Sequence, residues 1–447
     1  MKNILCIIFI ALLLGGCTKI TDVIDREPPN NLVPENVAKN AEGVRNLLNG
    51  AYAKLHDQYY YMVLTEVIPG ALSGTIARNG SLVNLQYVDN AVLPTLAEVN
   101  NCWVAMYKMI NQANWVIQLV NELPEGEMAQ AERETITAQA RALRAMAHFD
   151  ALRFFGQFYD VNSPWGVVIR TEPADFTTRN IARSTVAEVY NQVLSDLDYA
   201  IEKAPDFSTP VFISKTAAQA IKARVLLFRG DYGEAAAMAD DVISGGKRKL
   251  SATYAKVFSD GFSSTEMIFM RATDAITFTG DRKRFTYGNR HAIASPWFKT
   301  FMAGDPRIPA TYTASNSAIV KTNNAAHFAP SYFFRLAEMY LIKAEGLARS
   351  GAPIADAKAP LDSIITRAYG TPQTSPATTR EALLNDIYAQ IIKELAFENG
   401  SEWFAGIRFD SIMSVKPTVV DVDQYILPIP EAETMSNPFF GDQNPGY

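Results

Sequence analysis

Three cysteines in 447 residues leave little chance of disulfide bonding. Cys6 and Cys17 fall near the N-terminus, so a chain whose N-terminus is cleaved and modified retains Cys102 alone and has no intramolecular disulfide. Cys102 stands beside Trp103 in an apolar helical pattern, with no histidine near it in sequence to lower its pKa, and reads as packed core rather than nucleophile. Histidine is equally scarce. His56, His148, His291 and His327 are scattered, without a pair at metal-ligand spacing, and Asp421-Val422-Asp423 lacks the rest of a calcium loop, so neither metal nor cofactor is expected. Clustered positive charge is also missing: 41 Lys and Arg against 47 Asp and Glu give a formal charge of -6, which argues against nucleic acid as a partner. The longest apolar run, residues 4 to 14, is too short to cross a bilayer, which needs about 20 helical residues.

What that run does offer is an export signal. It follows Lys2 and ends in Leu14-Gly15-Gly16-Cys17, and small residues directly before a cysteine resemble the bacterial lipobox. The resemblance implies cleavage before Cys17, residues 1–16 as signal peptide, and acyl chains on Cys17. Each buried methylene contributes about 0.8 kcal/mol, so two or three chains hold a protein on a membrane. Residues 17–36, with Asp22, Asp25, Glu27, Pro28, Pro29 and Pro34, are too polar and proline-broken to pack and read as a lipidated tether.

The remaining chain, residues 37–447, is expected to form one domain. With 48% hydrophobic residues it can bury a large core. Apolar residues at helical spacing predict a helix from Asn40 through Val44, Leu47, Leu48 and Leu55, ending near Tyr59-Tyr60-Tyr61. A helical hairpin follows, the first arm carrying Trp103, Met106, Tyr107, Ile110, Asn114, Ile117 and Val120, the second running over residues 131–155. Residues 215–243 and 335–365 share a helix, Gly, alanine-lined helix grammar around Gly230 and Gly351. Such pairs leave an apolar face that only a neighbouring pair can cover, as in tetratricopeptide-like arrays. Inserts near 60–100, 160–185 and 250–330 interrupt the spacing. They are rich in Gly, Asn, Thr, Ser and Pro, and Met267-Ile268-Phe269-Met270 suggests an isolated strand. The expected fold is mainly α: helical hairpins supporting a loop-rich lobe with short strands.

Several blocks in fixed order resemble the SusD/RagB family of outer-membrane lipoproteins. They are Trp103 with Tyr107, Ile110 and Asn114; the A-R-A-L-R-A run beginning at Ala140 with Leu152, Phe155 and Gly156; Ala182-Arg183-Ser184-Thr185-Val186 with Tyr190, Asp196 and Leu197; Asp305-Pro306-Arg307; Arg335-Leu336-Ala337-Glu338; residues 391–408; and Leu427-Pro428-Ile429-Pro430 with Gln443-Asn444-Pro445-Gly446-Tyr447. Residues 391–408 depart from the family pattern, with Lys393 and Glu402 where arginines are usual and Ala405-Gly406 for Asp-Leu, which puts local packing in question more than function. The resemblance implies a SusD-like fold without catalytic activity. It also implies a lipid-anchored protein on the outer membrane, facing the exterior, that captures an oligosaccharide, or in some members a peptide. The ligand would pass to a SusC-like TonB-dependent transporter, against which the helical face packs.

Sugar capture needs aromatic faces plus amides and charged groups for hydroxyls. Trp103, Trp115 and Trp403 fall on helical core patterns, leaving Trp165, which could equally brace a turn, and Trp297, downstream of Tyr287, Asn289 and Arg290 in the longest insert. The alternative for Trp297 is that, with Phe298, it starts a short amphipathic helix. Three consecutive aromatics cannot all face one core, so at least one of Tyr59, Tyr60 and Tyr61 is expected at the surface. Asn79 and Arg78 are further hydroxyl partners. Glu394 and Glu398, four apart, could form a catalytic carboxylate pair, but ion pairing within the scaffold is the expected role.

Overall fold

Asn40 caps the first described helix, its side-chain oxygen accepting from the Gly43 amide at 2.9 Å, a bond that satisfies one of the otherwise orphaned first-turn donors. This computed structural model describes residues 40–175 and 177–447, so the export signal, Cys17 and the tether lie outside the described residues. The scaffold helices are α1 (Ala41–Ala53), α2 (Ala97–Glu122), α3 (Gln130–Phe155), α4 (Val186–Lys203), α5 (Lys215–Arg229), α6 (Tyr232–Ser244), α7 (Leu336–Arg349), α8 (Ile354–Tyr369), α9 (Arg380–Leu395) and α10 (Ser401–Arg408). Sequence neighbours pack together: α2 on α3, α3 on α4, α5 on α6, and α7 on both α6 and α8. This is the hairpin array expected of a tetratricopeptide-like repeat.

The local chemistry explains the turns. Gly230 ends α5 with φ of 93°, in the left-handed region where a side chain is strained. Gly346 allows α7 to approach α6: a Cβ there would lie 2.5 Å from the Tyr232 carbonyl oxygen and 2.9 Å from the Ala236 side chain. The alanines that line α6, Ala235, Ala236 and Ala239, are buried against that contact. Thr185 and Glu188 close a reciprocal capping box at the start of α4.

Four short strands come from the inserts: β1 (Ile76–Arg78), β2 (Met267–Arg271), β3 (Ala292–Ala294) and β4 (Ser331–Arg335). They form two antiparallel pairs, β1 with β3 and β2 with β4. The strand expected at Met267 is therefore present but not isolated, since Met267 pairs with Arg335 and Arg271 with Ser331. All residues of β2 and β4 are buried. The stretch expected as a loop-rich insert from residue 60 starts instead as a π-helix, Tyr59–Val67, that continues into a helix over Ile68–Leu72. The wide winding of a π-helix moves successive side chains away from α-helical positions. Tyr60 and Tyr61 are both buried while Tyr59 is half-buried, so of the three only Tyr59 reaches the surface, and only in part. Residues 160–185 contain no helix or strand among those described.

One apolar core joins scaffold and inserts, taking Ile268, Phe269, Ala292 and Phe298 together with the helices. Through it runs a buried ionic cluster. Arg335, at the end of β4, reaches Glu266 at 2.8 Å, Glu394 at 2.6 Å and Glu398 at 2.7 Å. Arg367 from α8 meets Glu266 at 2.9 Å and also pairs with Glu394. Arg307 spans Asp305 and Glu394, and Lys321 reaches Glu398 at 2.6 Å. Glu394 and Glu398 thus serve as structural ion pairs, as the sequence block implied. Burial pushes the Glu394 carboxyl up, but the guanidinium groups of Arg367, Arg335 and Arg307 outweigh it and hold it well below the usual carboxylate range. The unusual Lys393 pairs with Asp305 at 3.4 Å.

Glu402, where an arginine is usual, is also fully buried. It accepts from the Thr75 hydroxyl and the Phe397 amide, each at 3.3 Å, and burial raises its pKa to about 7.

Two predictions follow from these buried charges. Arg335→Met takes one cationic partner from each of three buried carboxylates and lowers stability by about 3–5 kcal/mol, read as a shift in the urea midpoint, whereas Arg45→Met, at an exposed pair with Glu132, leaves the midpoint unchanged. For Glu402 the folded pKa exceeds the unfolded one, so the folded state holds a proton that the unfolded state has lost. Its contribution to stability therefore falls as pH rises from about 4.5 to about 7. Glu402→Gln should melt at a higher temperature than the parent at pH 8, with the gap closing by pH 4.5; a gap independent of pH would refute the assignment.

Candidate functional site

The long insert and the first insert meet along the β1–β3 pair. Ile76 faces Ala294 and Arg78 faces Ala292, and the ladder is extended at one end by Asn79 N donating to His291 O at 2.8 Å and at the other by Ser295 N donating to Thr75 O at 2.9 Å. The two ends of this short ribbon carry different chemistry.

At the first end Asn79 and Arg290, 211 residues apart, come together. The Asn79 side-chain amide donates to the Arg290 carbonyl at 2.8 Å, fixing Arg290 at a φ of 57° that non-glycine residues seldom adopt. Both side chains are exposed. Arg78 is exposed too, with its Nε donating to Val83 O at 2.9 Å. At the opposite end Ser295 caps a one-and-a-half-turn helix, Pro296–Phe301, with Pro296 at the first position. Trp297 is half-buried there and stacks on Phe301, centroids 5.3 Å apart and planes 26° apart, while Phe298 turns inward against Tyr312 and Phe397. The short amphipathic helix anticipated at Trp297 is therefore real, and it still leaves an aromatic face partly open.

Tyr60, Tyr61 and Tyr287 belong beneath the surface. Tyr60 donates to Asp150 at 2.6 Å. Tyr61 donates to Asp281 at 2.6 Å and its ring lies 3.6 Å below the Arg271 guanidinium, which pairs with Asp281 at 2.6 Å. Burial acts against the Asp281 charge, but Arg271 and Tyr61 more than compensate and depress its pKa. Tyr287 is 1% exposed, its hydroxyl facing Glu66, and burial raises its pKa well above the usual value. Glu66 pairs with Lys283 at 2.6 Å; burial pushes the carboxyl to about 7, with Lys283 opposing, and pushes the ammonium down. Tyr60, Tyr61 and Tyr287 were expected at a ligand. They are buried instead, Tyr60 and Tyr61 with hydroxyls satisfied by Asp150 and Asp281 inside the protein.

Above this base lies an exposed helix, Ala275–Gly280, none of whose residues is buried. Ile276 is 86% exposed, Phe278 lies 6.1 Å from Phe328, and Phe285 is exposed beneath Arg284. Apolar residues on a short helix in a polar insert were the available signal for this patch.

The other tryptophans divide differently from their sequence pattern. Trp103 and Trp403 are core, at 3% and 1% exposed. Trp165 is braced under Arg183, 5.0 Å from the ring centroid. Trp115 is half-buried rather than core, opening on a cleft with Gln118 and Glu172. Cys102 is buried, its thiol donating to Tyr59 O at 3.2 Å, and burial pushes its pKa well up.

Comparison with known proteins matches this architecture. A family model described as starch-binding, associating with outer membrane, covers residues 22–227, and the SusD family model covers residues 252–413. A SusD-like protein of Formosa agariphila is 25% identical over 99% of each chain. Among solved structures, a putative sugar binding protein of Bacteroides vulgatus superposes with a TM-score of 0.77 at 24% identity, over 92% of this chain and 99% of its own. A laminarin binding SusD-like protein superposes at 0.74 and 23% identity, over 92% and 100%. Two adjoining family models, a curated relative along the whole chain and a shared fold agree: the chain belongs to the SusD/RagB family of non-enzymatic, outer-membrane-associated glycan-binding proteins.

Proposed function

We propose that this protein is a lipid-anchored, outward-facing capture protein that binds an oligosaccharide on its insert face and passes it to a SusC-like TonB-dependent transporter. The observation that carries the binding reading is the Trp297–Phe301 stack, half-open at one end of a rigid ribbon whose other end presents Arg290 and Asn79. A flat aromatic wall takes the apolar face of a sugar ring, while guanidinium and amide groups take hydroxyls. Tyr59, Tyr60, Tyr61 and Tyr287 act in this reading as supports. The buried Tyr61–Asp281–Arg271 and Glu66–Lys283 contacts hold the insert in place before ligand arrives, which lowers the ordering cost of binding.

The transporter is supported by a second surface. Leu93, Val420, Met435 and Phe439 are 54%, 76%, 79% and 64% exposed on two segments laced together by Glu431 N to Pro94 O at 3.0 Å and Gln424 Nε2 to Asn90 O at 2.8 Å. Exposed apolar side chains grouped on neighbouring segments mark contact surfaces more often than single ones do. No helix among the described residues is long and apolar enough to cross a membrane, so attachment through Cys17 is the anchor proposed.

The lipid-free chain, residues 18–447, should bind at least one member of an oligosaccharide panel by calorimetry. Trp297→Ala should weaken that binding by about tenfold, the scale of one lost aromatic contact, and Arg290→Ala, at an exposed position, should weaken it with an unchanged melting temperature. Binding to peptides alone would replace the glycan reading with peptide capture. Met435→Asp with Phe439→Asp should abolish co-purification with the transporter while sugar binding persists; retention of the complex would rule that surface out.

A further inference from the structure

A second cleft lies away from the insert face. It is bounded by α2 on one side and residues 171–175 and 178 on the other, and has a volume of about 610 Å3, within the range of small-molecule sites. Its lining includes the half-buried Trp115 with Gln118, Glu172, Asp175, Thr171 and Thr178. Among the described residues no lysine or arginine lines it.

The far wall is built into the fold. Asn114, 1% exposed, donates through its side-chain amide to the carbonyls of Arg170 and Glu172 at 3.2 and 2.8 Å. Arg144 donates to Asn114 Oδ1 at 2.8 Å and to Thr171 O at 3.0 Å, and is itself held by Asp196 at 2.6 and 2.8 Å. Asn111 accepts from Ala174 N at 2.8 Å. Asp175 accepts from the Thr177 hydroxyl at 2.7 Å and from the Thr178 and Thr177 amides at 2.8 and 2.6 Å, and these bonds, the hydroxyl's first, lower its pKa to about 2. Buried side chains of α2 and α3 thus set the gap between the Trp115 ring and the opposite wall.

The position matters. Glu98, near the start of α2, pairs with Arg282 of the long insert at 3.3 Å. Trp115 lies 17 residues further along the same helix, about 25 Å at 1.5 Å per residue.

We infer that the cleft between Trp115 and the 170–178 segment is a second carbohydrate-binding site, selective for neutral or amino sugars over uronic acid or sulfated ones. The aromatic ring supplies the platform. Gln118 Oε1 and the Thr171 hydroxyl meet sugar hydroxyls, since the Thr178 hydroxyl is bonded to Asp175 and Pro173 and the Gln118 amide nitrogen to Glu122. The Glu172 carboxylate with the second oxygen of Asp175 accepts hydroxyl or ammonium hydrogens and repels an anionic ring. Two sites on one rigid body convert the second contact with a long chain into an intramolecular event, raising apparent affinity for polymers above that for short fragments. This inference rests on the glycan reading above but not on the location of the first site.

The test is an array of neutral hexose oligosaccharides, chitosan oligosaccharides and oligogalacturonates, each in short (three-residue) and long (more than ten-residue) form, probed with the lipid-free chain. Trp115→Ala should lower apparent affinity for the long form of the bound sugar by about tenfold or more and change the preferred short form little. Trp297→Ala should weaken both. Because Trp115 touches the core, Gln118→Ala with Glu172→Ala, at exposed positions, must give the same loss for long chains with an unchanged melting temperature. Parent-like binding by both cleft variants would overturn the second site and leave the glycan reading standing. Preference for oligogalacturonates, lost in Trp115→Ala, would overturn the stated selectivity. No sugar binding by the parent chain would overturn the glycan reading, and the cleft with it.

Discussion

Arg335 is the residue on which scaffold and lobe both depend. It ends β4 and leads directly into α7, so its position is shared by an insert strand and a scaffold helix. Its guanidinium lies 1% exposed among Glu266, Glu394 and Glu398. An isolated buried charge would cost several kcal/mol; here buried Arg335, Arg367, Arg307 and Lys321 face Glu266, Glu394, Glu398 and Asp305, with Lys393 adding a partly exposed partner to Asp305 at the edge. Such a cluster stabilises less than an apolar core of equal volume, but its geometry tolerates no alternative partner arrangement without stranding a charge. It therefore fixes where β2, β4, the end of α9 and the 305–321 segment meet.

That fixed point also holds a strained turn. Phe397, Asn399 and Gly400 all take positive φ, 67°, 52° and 68°, and the two non-glycine residues each carry a cost of about 1–3 kcal/mol. Asn399 donates to the carbonyls of Tyr332 and Phe333, both at 2.7 Å, and its own carbonyl accepts from Arg153 at 2.8 Å. Glu398, between Phe397 and Asn399, is held by Arg335 and Lys321. The turn reverses the chain so that α10 can bring Glu402 beneath Thr75, close to the start of β1. One ionic cluster thus positions both the ladder strand that underlies the proposed ligand face and the helix that supports it.

The repeat scaffold was readable because its signals are local. Helical spacing from Ala97 to Phe155, Gly230 and Gly351 as breaks, and the alanines of α6 all act within one or two turns. The strand at Met267 was readable as a strand, but its partner was not, since Ser331–Arg335 lies more than 60 residues on and runs straight into a helical pattern. The three tyrosines were misread because counting faces assumes a helix with one side in water, whereas the segment from Tyr60 to Leu72 is buried on every side. Tyr287 looked available because the sequence does not show that Glu66 and Lys283 enclose it. Trp115 fitted a core period, yet it faces a wall raised by Asn114, a residue whose side chain is spent on the backbone of a segment more than 50 residues away. The pairing of Asn79 with Arg290 across 211 residues had no local signature at all.

Those misreadings share a physical cause that bears on function. In a polar insert with few apolar residues, burial energy alone does not fix a conformation, so the chain is pinned by side-chain hydrogen bonds and ion pairs between distant residues. Tyr61 with Asp281, and Tyr287 beside Glu66 and Lys283, each remove a conspicuous residue from ligand contact and use it to immobilise backbone, while Asn79 pins the Arg290 carbonyl and leaves the Arg290 side chain exposed. The groups proposed for ligand are then those that remain open at the surface, Trp297 with Phe301 and Arg290 on the insert face and Trp115 with Gln118 along α2. A receptor that must grip flexible sugar chains through few contacts gains from this arrangement, because the ordering entropy of its own loops has been lost at folding and is not lost again on binding.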